Sequence, residues 1–297
     1  MTGRVLCGYM PDRRGKDALA LAALFARVAG AELVLANVHP PAWPVPNQGA
    51  VDLEWRQFLV ERSEEALAHA RGLLESWGAP PARTIVHAGR GSGRGLAEVA
   101  EREGADLVII GPAPGGPRTR IAVGSTADQL LHGAPVPVLL APKGYASAPP
   151  ESFSRITLTY RRRSADRVAC RVAARAAARL DLPLRVVHVL VRTTRFFGAT
   201  AGFDAEEPVL PAAREAAEQD LAALSAGLPG AVTTEILQGD DVAAALASTR
   251  WEPGEIMVCG SSGAGPLRRV FLGDMSMKLV RNAPCPVMVL PRTLIQE

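Results

Sequence analysis

Hydrophobic and polar positions follow two periods along this chain, and the alternation between them occurs twice. Short, nearly continuous apolar runs at residues 5–9, 32–39, 83–88, 106–110 and 136–141 predict strands buried on both faces. A strand open to water on one side would alternate instead. Between these runs, apolar residues every three to four positions predict helices over 15–29, 52–77 and 95–103, with a short one opening after Gly124. Gly30 stops the first helix. Residues 39–49 carry four prolines and are expected to be irregular.

The second half repeats the order. Strands are expected at 156–160, 184–189, 232–238, 255–259 and 287–290, helices at 212–226 and 241–249, and an irregular segment at 192–211. Val5 maps on Ile156 and Leu33 on Leu184 at an offset of 151, and Gly111, Gly124, Pro137 and Pro142 map on Gly260, Gly273, Pro286 and Pro291 at 149. Alternating strands and helices predict an α/β fold with parallel sheets, and right-handed crossovers make each half doubly wound. The expected units are 1–144 and 155–297, joined by a small, polar, proline-bearing linker at 145–154.

The last strand of each unit is short and apolar and would leave a bare edge that invites pairing. Prolines at 135, 137, 284 and 286 fix where these strands start. The edges can meet antiparallel within one chain, or be exchanged between two chains of a homodimer. The linker reaches far enough for either.

Composition narrows the class. At 297 residues, 48% hydrophobic and 21% charged, the chain has the length of two domains and the means to bury two cores. No apolar run approaches the roughly 18–20 residues that span a bilayer, and the first ten residues lack the pattern of a secretory signal. A cytoplasmic protein is expected. Cys7, Cys170, Cys259 and Cys285 form no CxxC pair. Cys7, Cys259 and Cys285 lie in or beside strand runs and read as small buried hydrophobes. The five histidines show no metal-ligand spacing, and no metal is expected.

The chemistry concentrates where strand, glycine loop and helix start follow one another, at 106–126 and 255–274. Unpaired N–H groups converge at such a place, which suits phosphate. A ligand is therefore expected at the carboxyl ends of the strands, where the winding reverses. The segment GRGSGRG, 89–95, does not have the spacing of a dinucleotide loop; it reads as a mobile connection, or as a source of Arg90 and Arg94 for an anion.

These motifs, taken together over nearly the whole chain, resemble the universal stress protein family in its tandem form. That family carries Gly-x-x-Gly, nine residues, then Gly-Ser or Gly-Thr, a helix and an Ala-Pro-x-Pro strand. The resemblance implies a five-stranded sheet ordered 3-2-1-4-5 in each half, pairing through the fifth strands, and ATP or a related adenine nucleotide as ligand. It implies a non-enzymatic stress-response protein, with no catalytic residues nominated. A ligand-free scaffold acting through partners and a weak ATP hydrolase stand as alternatives.

The match is imperfect residue by residue. The candidate nucleotide set in the first half is Met10, Val38, Gly111, Gly115, Gly124, Ser125 and Thr126. Pro114 holds the second glycine position, where proline offers no N–H and no positive φ; Gly115 and Gly116 follow it and can restore the loop with a shift of one residue. In the second half Gly260, Gly263 and Gly273 match, but Asp274 replaces the hydroxyl residue and makes this site degenerate. As a helix cap, its carboxylate occupies the niche a phosphate would use. The acidic residue that ends the first strand in the family is Met10 in one half and Arg161 in the other. Arg118 and Arg120 lie in the first loop, Arg268 and Arg269 in the second, as possible phosphate partners.

Charge adds one more feature. Between Arg155 and Asp181 there are eight arginines and two aspartates, in a chain of net charge +3. Arg167, Arg171, Arg175 and Arg179 recur every four residues along one helix face. They read as a solvated face or as a docking surface for an acidic protein. Nucleic acid is the poorer fit, with only Tyr160 to stack among these charges.

Overall fold

The computed structural model describes residues 3–41, 50–115, 120–162, 164–192, 206–260, 274–291 and 294, and in it the apolar runs become strands of a single sheet. The first half runs β1 (Arg4–Gly8), α1 (Arg13–Ala29), β2 (Glu32–His39), α2 (Ala50–Ser76), β3 (Ala82–Ala88), α3 (Ser92–Glu103), β4 (Leu107–Ile110), α4 (Ser125–Gly133) and β5 (Val138–Leu140). The second runs β6 (Arg155–Tyr160), α5 (Ser164–Arg179), β7 (Leu184–Val191), α6 (Glu206–Ser225), β8 (Val232–Gly239), α7 (Val242–Ala247), β9 (Glu255–Gly260), α8 (Asp274–Asn282) and β10 (Val287–Leu290).

Local chemistry sets the ends of these elements. The Asp12 carboxylate accepts from the Gly15 N–H at 2.9 Å and starts α1, and Gly30, at φ 60°, closes it with an N–H to the Ala26 carbonyl. All four residues of β4, LVII, are buried, as a central parallel strand requires.

The sheet order is β3-β2-β1-β4-β5-β10-β9-β6-β7-β8, which is 3-2-1-4-5 in each half. Every pairing is parallel except one: β5 and β10 run antiparallel, with Leu139 opposite Met288. The fifth strands therefore join the halves within one chain. Apolar cores on the two faces of the sheet are each continuous across that seam: one packs α1 and α5, the other α3, α4 and α8. All four cysteines are buried as free thiols inside them.

Several boundaries differ from those read in the sequence. The helix after β3 starts at Ser92, so the second half of GRGSGRG is helical rather than a mobile connection. A Cβ on Gly93 would lie 2.4 Å from the Thr126 carbonyl oxygen, and one on Gly95 2.6 Å from Val38. Glycine is needed there for close packing. The expected linker is also structured: a 3-10 turn at Tyr145–Ser147 follows Gly144, and Phe153 is buried against Phe25. Within the segment expected to be irregular, 192–211, α6 begins at Glu206 with Pro211 inside it. Residues 42–49 and 193–205 lie outside the described residues.

Candidate functional site

In the first half the carboxyl ends of β1 and β4 open on a cavity of about 240 Å³, closed by the segment that follows Ile110 and by the N-termini of α1 and α4. Its floor is apolar, made by Ala36, Val38, Leu96 and Ile110. At one side α4 starts from Gly124, whose backbone is extended and whose cap position supplies no side-chain hydrogen bond. Among the described residues, no side chain caps the first N–H groups of α4. Ser125 is exposed, and the Thr126 hydroxyl shares a 2.5 Å hydrogen bond with that of Ser92.

Six of the seven residues expected here do line the cavity: Met10, Val38, Gly111, Gly124, Ser125 and Thr126. Gly115 does not, but its φ of 83° makes the left-handed turn that the neighbouring Pro114 cannot. A Cβ on Gly111 would lie 2.1 Å from the Arg14 carbonyl oxygen, so glycine is required for α1 to approach β4. Met10 is 56% exposed at the rim and offers no polar atom to a ribose.

Sequence reasoning missed one residue of the cavity and one beside it. Arg14 lines the cavity, and the Asp12 carboxylate holds its guanidinium at 2.8 and 2.5 Å. The signal was present as an Asp-x-Arg at a helix start. Gln129 was missed as well: its side-chain oxygen accepts from the Gly93 and Arg94 N–H groups at 3.1 and 3.2 Å. The N-terminus of α3 is thereby satisfied by a side chain, whereas among the described residues that of α4 has none. Arg120, expected to serve the loop, instead reaches across the seam and donates to the Asn282 carbonyl at the end of α8, where a helix dipole attracts cations. Arg118 lies outside the described residues.

At the equivalent place in the second half an arginine takes the polar partners. Arg161 corresponds to Met10, Gly260 to Gly111 and Ser276 to Ala127, and all three first-half residues line the cavity. The Arg161 guanidinium donates to the Ser276 hydroxyl at 2.8 Å and to the Gly260 carbonyl at 3.3 Å, with the buried Asp166 carboxylate 3.8 Å away. Asp166 also accepts the Arg161 N–H at 3.1 Å. The described part of α8 begins at Asp274. Gly263, Gly273, Arg268, Arg269 and the Asp274 side chain lie outside the described residues.

Arg167, Arg171, Arg175 and Arg179 all fall on the exposed face of α5. Arg167 is paired with Asp220 at 2.8 Å. Tyr160, the one aromatic among these charges, is fully buried. Among the described residues no helix is long and apolar enough to cross a membrane.

Comparison with known proteins bears on the repeated fold. The model of the universal stress protein family matches residues 1–142 and again 152–291. Proteins of Mycobacterium tuberculosis and Mycobacterium bovis named as universal stress proteins are 32% identical over 297 residues, which is 97% of this chain and 99% of theirs. The crystal structure of a universal stress protein from Archaeoglobus fulgidus aligns over 98% of this chain and 100% of its own, with a TM-score of 0.65 at 18% identity. That last likeness carries the fold alone.

Proposed function

The chain belongs to the universal stress protein family, and from that premise we propose that it is a non-enzymatic stress-response protein whose first half, 1–144, binds ATP or a related adenine nucleotide. The second half, 155–297, has lost that site. The observation that carries this reading is the pairing of an open helix N-terminus at Gly124–Thr126 with an apolar floor at Ala36 and Val38 in one cavity. Helix N–H groups suit phosphate, and the apolar floor suits a base. Arg14 at the rim exchanges Asp12 for a phosphate when one arrives.

In the second half two features oppose a nucleotide. Arg161 takes the polar partners at the place corresponding to the first cavity. Asp274 adds a carboxylate at the helix start. At about 5 Å and an effective dielectric of about 20, one phosphate charge there meets about 3 kcal/mol of repulsion, or about two orders of magnitude in affinity.

A ligand-free scaffold is the second reading, favoured by Met10 standing where a ribose partner would be. The two separate cleanly. Purified protein is denatured and its supernatant chromatographed for adenine nucleotide, and the nucleotide-free protein is titrated calorimetrically with ATP, ADP and AMP. The proposal expects one site per chain, lost in Ser125→Asp. Silence with all three nucleotides gives the scaffold reading.

A further inference from the structure

The outer face of the first helix is built differently in the two halves. On α1 it is covered. The buried Asp17 carboxylate accepts from the Gly144 and Ala146 N–H groups at 2.8 and 2.9 Å, and Phe153 lies edge-on to Phe25 with ring centroids 5.8 Å apart. Under this strap Ala20, Leu21 and Leu24 are buried. At an offset of 151, α5 places Val168, Arg171, Val172, Arg175 and Ala176 at the positions of Asp17, Ala20, Leu21, Leu24 and Phe25. There Arg171 and Arg175 are exposed, and Val168, Val172 and Ala176 are half-buried.

The face therefore carries two parallel rows, one basic and one apolar, each stepping four residues or about 6 Å along the helix. The apolar row packs in part against the core beneath it and leaves the rest of each side chain open beside the arginines. Arg167 is held by Asp220, but Arg171, Arg175 and Arg179 have no ion pair among the described residues. We propose that this face of α5 binds an acidic peptide segment of another protein, laid across the helix as the chain's own strap is laid across α1. Carboxylates of the segment meet Arg171, Arg175 and Arg179, and its aliphatic side chains cover Val168, Val172 and Ala176.

Charge complementarity chooses the occupant. The guanidinium fork matches a carboxylate with two parallel hydrogen bonds. Single-stranded nucleic acid wants exposed aromatics on which bases stack, and Tyr160 is buried with its hydroxyl on Asp220. A membrane-surface helix carries Trp, Phe or Leu beside its cations; the row here is valine and alanine.

The test is a random-peptide display selection on the full chain, counter-selected against the Arg171→Gln/Arg175→Gln variant. Recovered peptides are then measured by fluorescence anisotropy, after melting curves confirm that each variant is folded. The proposal expects recovered sequences with aspartate or glutamate interleaved with aliphatic residues. They should bind at least tenfold more weakly to the arginine variant and to Val172→Gln, and more weakly as salt screens the charges. Sequences without acidic residues, or equal binding to all three proteins, overturn it. So does tighter binding of single-stranded DNA or phosphatidylglycerol vesicles with the same dependence on Arg171 and Arg175.

Discussion

The Tyr160 hydroxyl donates to the Asp220 carboxylate at 2.8 Å, and the equivalent pair 151 residues earlier is Tyr9 with His69 Nδ1 at 2.7 Å. Both tyrosines are buried at the end of the first strand of their half, and both reach the long helix that follows the second strand. The repeat has kept the tether and changed the partner. Asp220 also holds Arg167 at 2.8 Å and Arg162 at 3.4 Å, so the second tether is part of a charged cluster. Burial, followed by the bond to Asp220, pushes the Tyr160 hydroxyl up to about 12.

Hydrogen bonds to charged groups contribute about 1.5–3 kcal/mol and neutral ones about 0.5–1.5. Tyr160→Phe is therefore expected to cost more stability than Tyr9→Phe in chemical denaturation at neutral pH. Equal losses, or a larger one at Tyr9, would show that the charge on Asp220 adds nothing to the tether.

The two sites call for a paired experiment. Asp274→Ser alone is expected to leave the second half silent, because Arg161 still holds Ser276 and Gly260. Adding Arg161→Met, the first half's own residue at that position, should open it. Calorimetry would show a second site in the double variant and in neither single one. A second site from Asp274→Ser alone would mean that Arg161 moves aside freely.

Much of this was legible in the sequence. The strands were, because parallel strands buried on both faces leave continuous apolar runs such as LVII in β4, and two short terminal strands pointed to a seam, though not to whether it lies within one chain or between two. What escaped depends on contacts between distant residues. Glycines at 93 and 95 look like a breaker until Thr126 and Val38 are known to press against them. The linker looks polar until Phe153 meets Phe25 and Asp17 takes its N–H groups. Arg161 was visible as a mismatch, but its bond to Ser276, on a helix late in the chain, was not. Arg120 was assigned to its own loop because nothing local points to Asn282.

Acid is expected to destabilise the second half in two windows. Burial pulls His188 below its ordinary 6.5, so as pH falls through 6.5 the unfolded chain takes up a proton that the folded one refuses, and stability drops. Glu255 behaves differently. Burial raises its carboxyl, but hydrogen bonds from Arg155 and Thr157 outweigh that and hold it below 4.5. Its contribution is present above 4.5 and lost as pH falls through the folded value. Urea denaturation across the acid range should show both limbs, and His188→Gln should flatten only the upper one. An unchanged upper limb in that variant would reassign it to another group.

The seam between the halves makes the strongest demand. Leu139 is fully buried, sits opposite Met288 across the antiparallel pair, and lies in a core that runs through both halves. Arg120 crosses the same seam to Asn282. Truncating a buried leucine costs about 2–5 kcal/mol, and here the cavity opens at the seam that both halves share. Leu139→Ala is therefore expected to loosen β10 and β9 as well as β4, in one cooperative transition. Hydrogen exchange read by mass spectrometry resolves this, because peptides from residues 255–260 and 287–290 report the second half and those from 107–110 the first. The second half expressed alone would bare β10, with Val287, Val289 and Leu290 all buried in the intact chain, and should self-associate through that edge. Faster exchange confined to the first half, together with a monomeric isolated second half, would show that the two units are joined without being coupled.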